Sequence, residues 1–403
     1  TGSYIDTTAA NSTLNVGGGS TTVIGTGLTV DNLTVANDGG TASITVNSGP
    51  VNIGGGTSNF LDLADTTSAP SANGVADFSA ASSVNINVGN LRLGIGTDNA
   101  GSTLCELRLS ASRPNHVTAT NIPTRDSNPA VNTGVTSEII LGGAANNFAV
   151  NQFTLGGRKS NANVSILAGG SFDLIGASGA GTGTLDVARR AVNTGVNTSS
   201  VLDLSNASQV EIDIATIRVG TITTGGLTGN PTGTVLLPTA GNANVTADTI
   251  LLGDSPTHGN TNVTQTLTLA GGTNNFAVDQ FTIAGRKSVA VVNINAGGVF
   301  NLTGKGGAGT GTLDLSRRTT NTGTNALGTL DLTDASAVDI DVQTIRLGTI
   351  TTGGSGGDSR GVWNFSNTTN TVSADSILMG DSPTAGNTDV TSSILLGAGA
   401  NNV

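Results

Sequence analysis

A short apolar-x-apolar triplet recurs along this chain at intervals of 28 to 33 residues. It stands at Leu33-Thr34-Val35, Leu61-Asp62-Leu63 and Leu91-Arg92-Leu93, and passes in weaker form through Ile122-Pro123-Thr124. It continues at Phe153-Thr154-Leu155, Leu185-Asp186-Val187, Ile217-Arg218-Val219 and Ile250-Leu251-Leu252. The last four are Phe281-Thr282-Ile283, Leu313-Asp314-Leu315, Ile345-Arg346-Leu347 and Ile377-Leu378-Met379. A fixed period of this length is the mark of a repeat architecture, and it overrides most other readings of a sequence. Four intervals make a larger unit of about 128 residues. "NNFAVNQFTLGGRKS", from Asn146, returns as "NNFAVDQFTIAGRKS" from Asn274.

Alternation of apolar and other residues means short strands with one face turned inward. Further alternating stretches lie between the triplets, such as Val164/Ile166, Phe172/Leu174 and Val338/Ile340/Val342. Gly, Asn and Asp punctuate the junctions, and no sustained stripe of 3.6-residue period occurs, so almost no helix is expected. About three short strands in each period of about 32 residues describe one coil of a parallel β-helix. Each strand pairs with its equivalents roughly 4.8 Å above and below. The expected fold is therefore all-β: a parallel β-helix (β-solenoid) of about 12–13 coils. It reads as one continuous solenoid over residues 1–403, with internal repeats at roughly 14–140, 141–268 and 269–396.

Composition agrees with a thin, stacked core. Gly accounts for 59 of 403 residues, aromatics for 3% and charged residues for 11%. The net charge of −11 argues against a nucleic-acid partner, since phosphate needs a basic face. Cys105 is the one cysteine, so no intrachain disulfide forms; beside Leu104 and Leu107 it reads as a small packed residue. No apolar run reaches the roughly 18 residues of a membrane helix.

The middle residue of each triplet is expected to face outward and stack on its neighbours. That column reads Thr154, Asp186, Arg218, Leu251, then Thr282, Asp314, Arg346, Leu378. Asp186–Arg218 and Asp314–Arg346 are thus expected as a charge ladder on one outer face, as are Asp62 and Arg92. Opposite charges on adjacent strands contribute some tenths of a kcal/mol.

The pattern in "LTLAGGTNNFAVDQFTIAG" resembles autotransporter-associated β-strand repeats, and is similar in texture to filamentous-haemagglutinin-like adhesins. The resemblance extends over nearly the whole chain. It implies an extracellular or cell-surface bacterial protein with a right-handed β-helix. A C-terminal membrane barrel of the autotransporter kind is not seen in the sequence.

Candidate sites are few. Arg158, Lys159, Arg189 and Arg190 follow consecutive triplets; Arg286, Lys287, Arg317 and Arg318 repeat them 128 residues on. They read either as a basic stripe for an anionic glycan or acidic partner, or as solvated turns. The run "GKGGAGTGTLDL" at Gly304 reads as a flexible loop. It lacks the aspartate of the calcium β-roll and the Gly-Lys-Ser/Thr of a phosphate loop. The carboxylate pairs Glu211/Asp213 and Asp339/Asp341 invite a glycosidase reading, but each alternates with apolar residues as a solvated strand face does. His116 and His258 lie far apart, which supports neither metal nor triad chemistry. Sequons such as Asn163-Val164-Ser165 and Asn301-Leu302-Thr303 are what an Asn- and Thr-rich chain produces by chance.

The expected function is therefore non-enzymatic and free of cofactor or metal: an extracellular β-solenoid segment of a surface fibre, filament or layer. Its partner would be a further copy of itself, stacked head to tail on uncapped ends. The alternatives are an adhesin-type binding module for glycan or host surfaces and, as the weakest reading, a carbohydrate-active enzyme on a β-helix.

Overall fold

The computed structural model describes residues 5–6, 12–36, 39–64, 72–94, 104–124, 135–157, 160–194, 197–227, 230–255, 263–318, 325–351, 357–382 and 390–403. Those residues contain no helix, and every pairing between named strands is parallel. The chain forms two compact units, and each is a parallel β-helix. One comprises Thr1–Ala188 with Thr198–Ser208; the other comprises Arg189–Asn197 with Gln209–Val403. This division does not follow the 128-residue repeats.

The pairing register is that of the triplets. In the first unit Leu33 stands opposite Leu61, Leu61 opposite Leu91, Ile122 opposite Phe153, and Phe153 opposite Leu185. In the second unit Ile217 stands opposite Ile250, and then Phe281, Leu313, Ile345 and Ile377 follow in turn. The first coil departs from this rhythm. Ile5 pairs with Leu28, and Leu14, not Ile5, stands opposite Leu33. Ile5 and Leu14 thus lie on two faces of one coil, which is shorter than the later ones and places Ile5 on a different face from Leu33.

One coil of the second unit shows how the sequence makes three faces. The strand Ala337–Ile350 runs through two of them. Val338, Ile340 and Val342 point inward; Gln343 and Thr344 both point away, and Ile345 and Leu347 return to the core. Two successive polar residues break the period of two, so the strand bends there and resumes on a new face. Gly348, at φ 58°, turns the chain again. The strand Ser359–Asn364 then forms the third face, with Trp363 buried.

The Asn-Asn-Phe motif follows the turn that begins the next coil. The first asparagine faces inward and is fully buried at Asn146 and Asn274, and Asn370 of the sequence Asn-Thr-Val holds the same inward position. Asn146 Oδ1 accepts from the Gly142 N–H and from Asn115 Nδ2, each at 2.9 Å. Its Nδ2 donates to the carbonyls of Gly142 and Ala144 at 2.9 Å, and to Ser171 of the next coil at 3.0 Å. One amide thereby satisfies backbone groups that the turn would otherwise bury unpaired. The second asparagine faces outward into a ladder, as in Asn301 Nδ2 to Asn275 Oδ1 and Asn275 Nδ2 to Asn244 Oδ1, both 2.8 Å. The phenylalanine enters the core.

Candidate functional site

The charged residues singled out by the sequence gather where the chain leaves a triplet. A residue of positive φ makes that corner: Gly253 (70°), Ala284 (63°), Ser316 (60°) and Gly348 (58°) in the second unit. A short arm follows in which Arg317 stands opposite Thr349 and Arg318 opposite Ile350. The corner reverses which residues face inward, and this decides the fate of each cation.

Asp314 and Arg346 are cross-strand partners, with Arg346 Nη1 donating to Asp314 Oδ1 at 3.0 Å. Arg317 Nη1 reaches the other carboxylate oxygen at 3.5 Å. Asp62 and Arg92 pair likewise in the first unit, through Nε at 2.6 Å and through Nη2. The outer face is not a solvated one here: Asp314 is 0% exposed, because the two arginines lie over it. Burial pushes the Asp314 carboxyl above the ordinary range, against the pull of Arg346 and Arg317. Asp186 is buried in the first unit, and Arg218 is half-buried in the second.

The basic corners are not a surface stripe. Arg190 and Arg318 are 0% exposed and Lys287 1%. Alternation restarts after Ala188 and Ser316, so Arg190 and Arg318 fall on the inward side of the arm, and Lys287 turns inward within a turn at a positive φ of its own, 50°. Burial lowers the Arg190 pKa to about 10. It also lowers that of Lys287, with a further contribution from the charge of Arg318. Arg189, Arg286 and Arg317, the first cations of the described pairs, stay half-buried. Arg286 spends its guanidinium on Asp254, with Nε to Oδ1 at 2.9 Å and Nη2 to Oδ2 at 2.6 Å, and is held more firmly protonated as a result. Arg189 is half-buried, while Arg158, Lys159 and His258 lie outside the described residues.

The carboxylate pairs serve the outer ladders. Glu211 Oε1 accepts from Gln209 Nε2 and from Asn244 Nδ2, each at 2.6 Å. Asp341 Oδ1 accepts from the Gly309 N–H at 2.8 Å. The glycine run is pinned rather than loose. Gly304 and Gly307 form a bridge, the Lys305 N–H donates to Asp279 at 2.9 Å, and Lys305 Nζ donates to Asp248 at 2.6 Å. Lys305, Asp248, Asp279 and Asp254 were not singled out in the sequence. The signal for Asp248 and Asp279 was an acid at the same bend of successive coils. His116 sits beside Asn147 in an exposed column, with Nδ1 3.3 Å from Asn147 Nδ2, and Cys105 is fully buried. Among the described residues, no three His, Cys, Asp or Glu side chains group as metal ligands do, and no helix is long and apolar enough to cross a membrane.

An open groove of 630 Å³ follows the third face of the second unit, lined by Val289, Asn325, Leu327, Asp358, Arg360 and Thr391. It carries no aromatic ring on which a sugar stacks. No protein family, curated protein or solved structure matches this chain. What the geometry defines is a parallel β-helix whose charged side chains are used mainly to bind coil to coil.

Proposed function

We propose that this protein is a non-enzymatic structural β-solenoid that assembles end to end with further copies of itself through parallel coil-to-coil pairing. One observation carries the reading. The fold is one repeated contact: each described coil of the second unit lays its core residues on those of the coil before, as Ile250, Phe281, Leu313, Ile345 and Ile377 do in turn, with parallel strand pairing throughout. A coil of a second copy can use the same contact, which removes apolar surface from water and pairs strand edges at the same time.

The binding-module alternative drew on the basic stripe, and it is weakened by the burial of Arg190, Lys287 and Arg318 and the pairing of Arg286 and Arg317. An extracellular, bacterial setting is part of the proposal and rests on the likeness to surface solenoids; protease shaving of intact cells tests it. Assembly is tested by mass photometry and electron microscopy of the purified chain over a range of concentrations. Linear oligomers are expected, and Ile377→Lys is expected to abolish them. Dispersed single chains at every concentration would sink the reading.

A further inference from the structure

Three arginines of this protein each lie on an acid one coil earlier: Arg92 on Asp62, Arg286 on Asp254 and Arg346 on Asp314. Arg360, on the third face of the second unit, does not. Its cross-strand neighbours are Leu327 one coil earlier and Thr391 one coil later. Asp358 directly precedes the strand Ser359–Asn364, of which Arg360 is the second residue. Residues two apart share a side of a strand, about 6.6 Å from one another. Yet among the described residues neither of these two side chains makes an ion pair or a hydrogen bond, with the other or with a third.

An exposed arginine by itself is a solvated one. Here both charges line the open groove of 630 Å³, a volume within the range of small-molecule sites. Along the groove the chemistry changes. Val289 and Leu327, cross-strand partners and both half-buried, make one end apolar. Thr391 and Ser393, both exposed, bring hydroxyls to the other. Arg360 stands between the two ends.

The backbone that carries the charges is held in place before any ligand arrives. Arg318 Nη1 donates from the interior to the carbonyls of Gly357 at 2.5 Å and Asp358 at 3.4 Å. The Asp358 N–H donates to Asn325 Oδ1 at 2.9 Å, and the Arg360 N–H to Ser316 Oγ at 3.1 Å. Such anchoring lowers the ordering cost of binding.

We propose that this groove binds a small aliphatic zwitterion, an α-amino acid or a dipeptide. Its carboxylate lies on Arg360 and the hydroxyls of Thr391 and Ser393, its ammonium on Asp358, and its side chain on Val289 and Leu327. A guanidinium takes both oxygens of one carboxylate. A simple anion meets Asp358 as a like charge and a simple cation meets Arg360 as one, so the pair selects a ligand of both signs. The groove lies within one chain and needs no second copy.

The full chain is titrated by calorimetry and by saturation-transfer NMR with L-leucine, L-leucyl-L-leucine, L-leucinamide and 4-methylvalerate. The last two lack the carboxylate and the ammonium respectively. Saturable binding of one zwitterion per chain is expected, with leucinamide and 4-methylvalerate at least tenfold weaker. Whichever of leucine and the dipeptide binds more tightly identifies the source. Crystals soaked in L-selenomethionine are expected to show an anomalous selenium peak over Val289 and Leu327. Arg360→Met and Asp358→Asn are each expected to weaken binding at least tenfold with the β circular dichroism unchanged. The four-ligand comparison on the wild-type chain decides the question even if both variants fail to fold. Absence of saturable binding by either zwitterion, equal affinity for leucinamide or 4-methylvalerate, a selenium peak elsewhere, or unaltered affinity in a folded variant would each overturn the proposal.

Discussion

The stretch beginning at Asn146 in the first unit and its copy at Asn274 in the second differ in instructive places. Inside, they are superimposable in kind. Phe148 stacks on Phe153 at 5.8 Å and Phe276 on Phe281 at 6.0 Å; Phe172 and Phe300 complete each cluster at 5.6 and 5.7 Å. Asn274 repeats the bonds of Asn146, to Ala270, Gly272 and Val299. Outside, the chemistry has changed. Ser178 Oγ meets Asn151 at 3.5 Å in the first copy, where Lys305 is tied to Asp279 and Asp248 in the second. At the corner the copies differ by exchange. A Cβ at Gly156 would lie 1.9 Å from Ser200 Oγ. The second copy has Ala284 in place of Gly156, and the position equivalent to Ser200 is Gly328. A methyl group gained on one side of the contact accompanies a side chain lost on the other. The inward set is held by packing, and the outward set is free to vary.

The largest effect expected is from the core. Phe153→Ala and Phe281→Ala should each cost about 3–5 kcal/mol in urea unfolding. A cost below about 1 kcal/mol in one of them would break the equivalence of the copies. Gly156→Ala should cost about 2–3 kcal/mol through overpacking, and adding Ser200→Gly should restore at least half of it. A double-mutant cycle reads the coupling directly, and strict additivity would show that the exchange is accidental. Asn146→Ala and Asn274→Ala should each cost about 2 kcal/mol by leaving turn carbonyls unpaired. Asn274→Asp, which keeps the acceptor alone, should not rescue stability at neutral pH. The smallest change is expected from Lys305→Ala, under about 0.5 kcal/mol and lost in high salt, because both partners of that ion pair are solvated.

The coil register was legible in the sequence because a strand has a period of two, and a triplet such as Leu313-Asp314-Leu315 states which residues face together. That same rule places Asp314 opposite Arg346. It does not carry across Ser316, whose positive φ restarts the alternation, so Arg318 turned inward unannounced. Composition offered no warning either, since arginine and lysine are seldom fully buried. The first coil was illegible for a different reason: Leu14 and Ile5 are both apolar residues in short strands, and only pairing distinguishes which of them meets Leu33. The inward asparagine was visible as a repeated letter, but its purpose became clear only with the turn it closes.

The register has a kinetic consequence. In most coils a strand meets its partner only after some 30 further residues of chain, as between Phe281 and Leu313. Closing a loop of that length costs entropy that grows only slowly with length, but the cost recurs for every coil. The first two coils must bear it before any template exists, and each later one adds to an edge already formed. Folding of such a chain should be limited by a rare nucleus and then propagate coil by coil, slow to begin and hard to reverse from the middle.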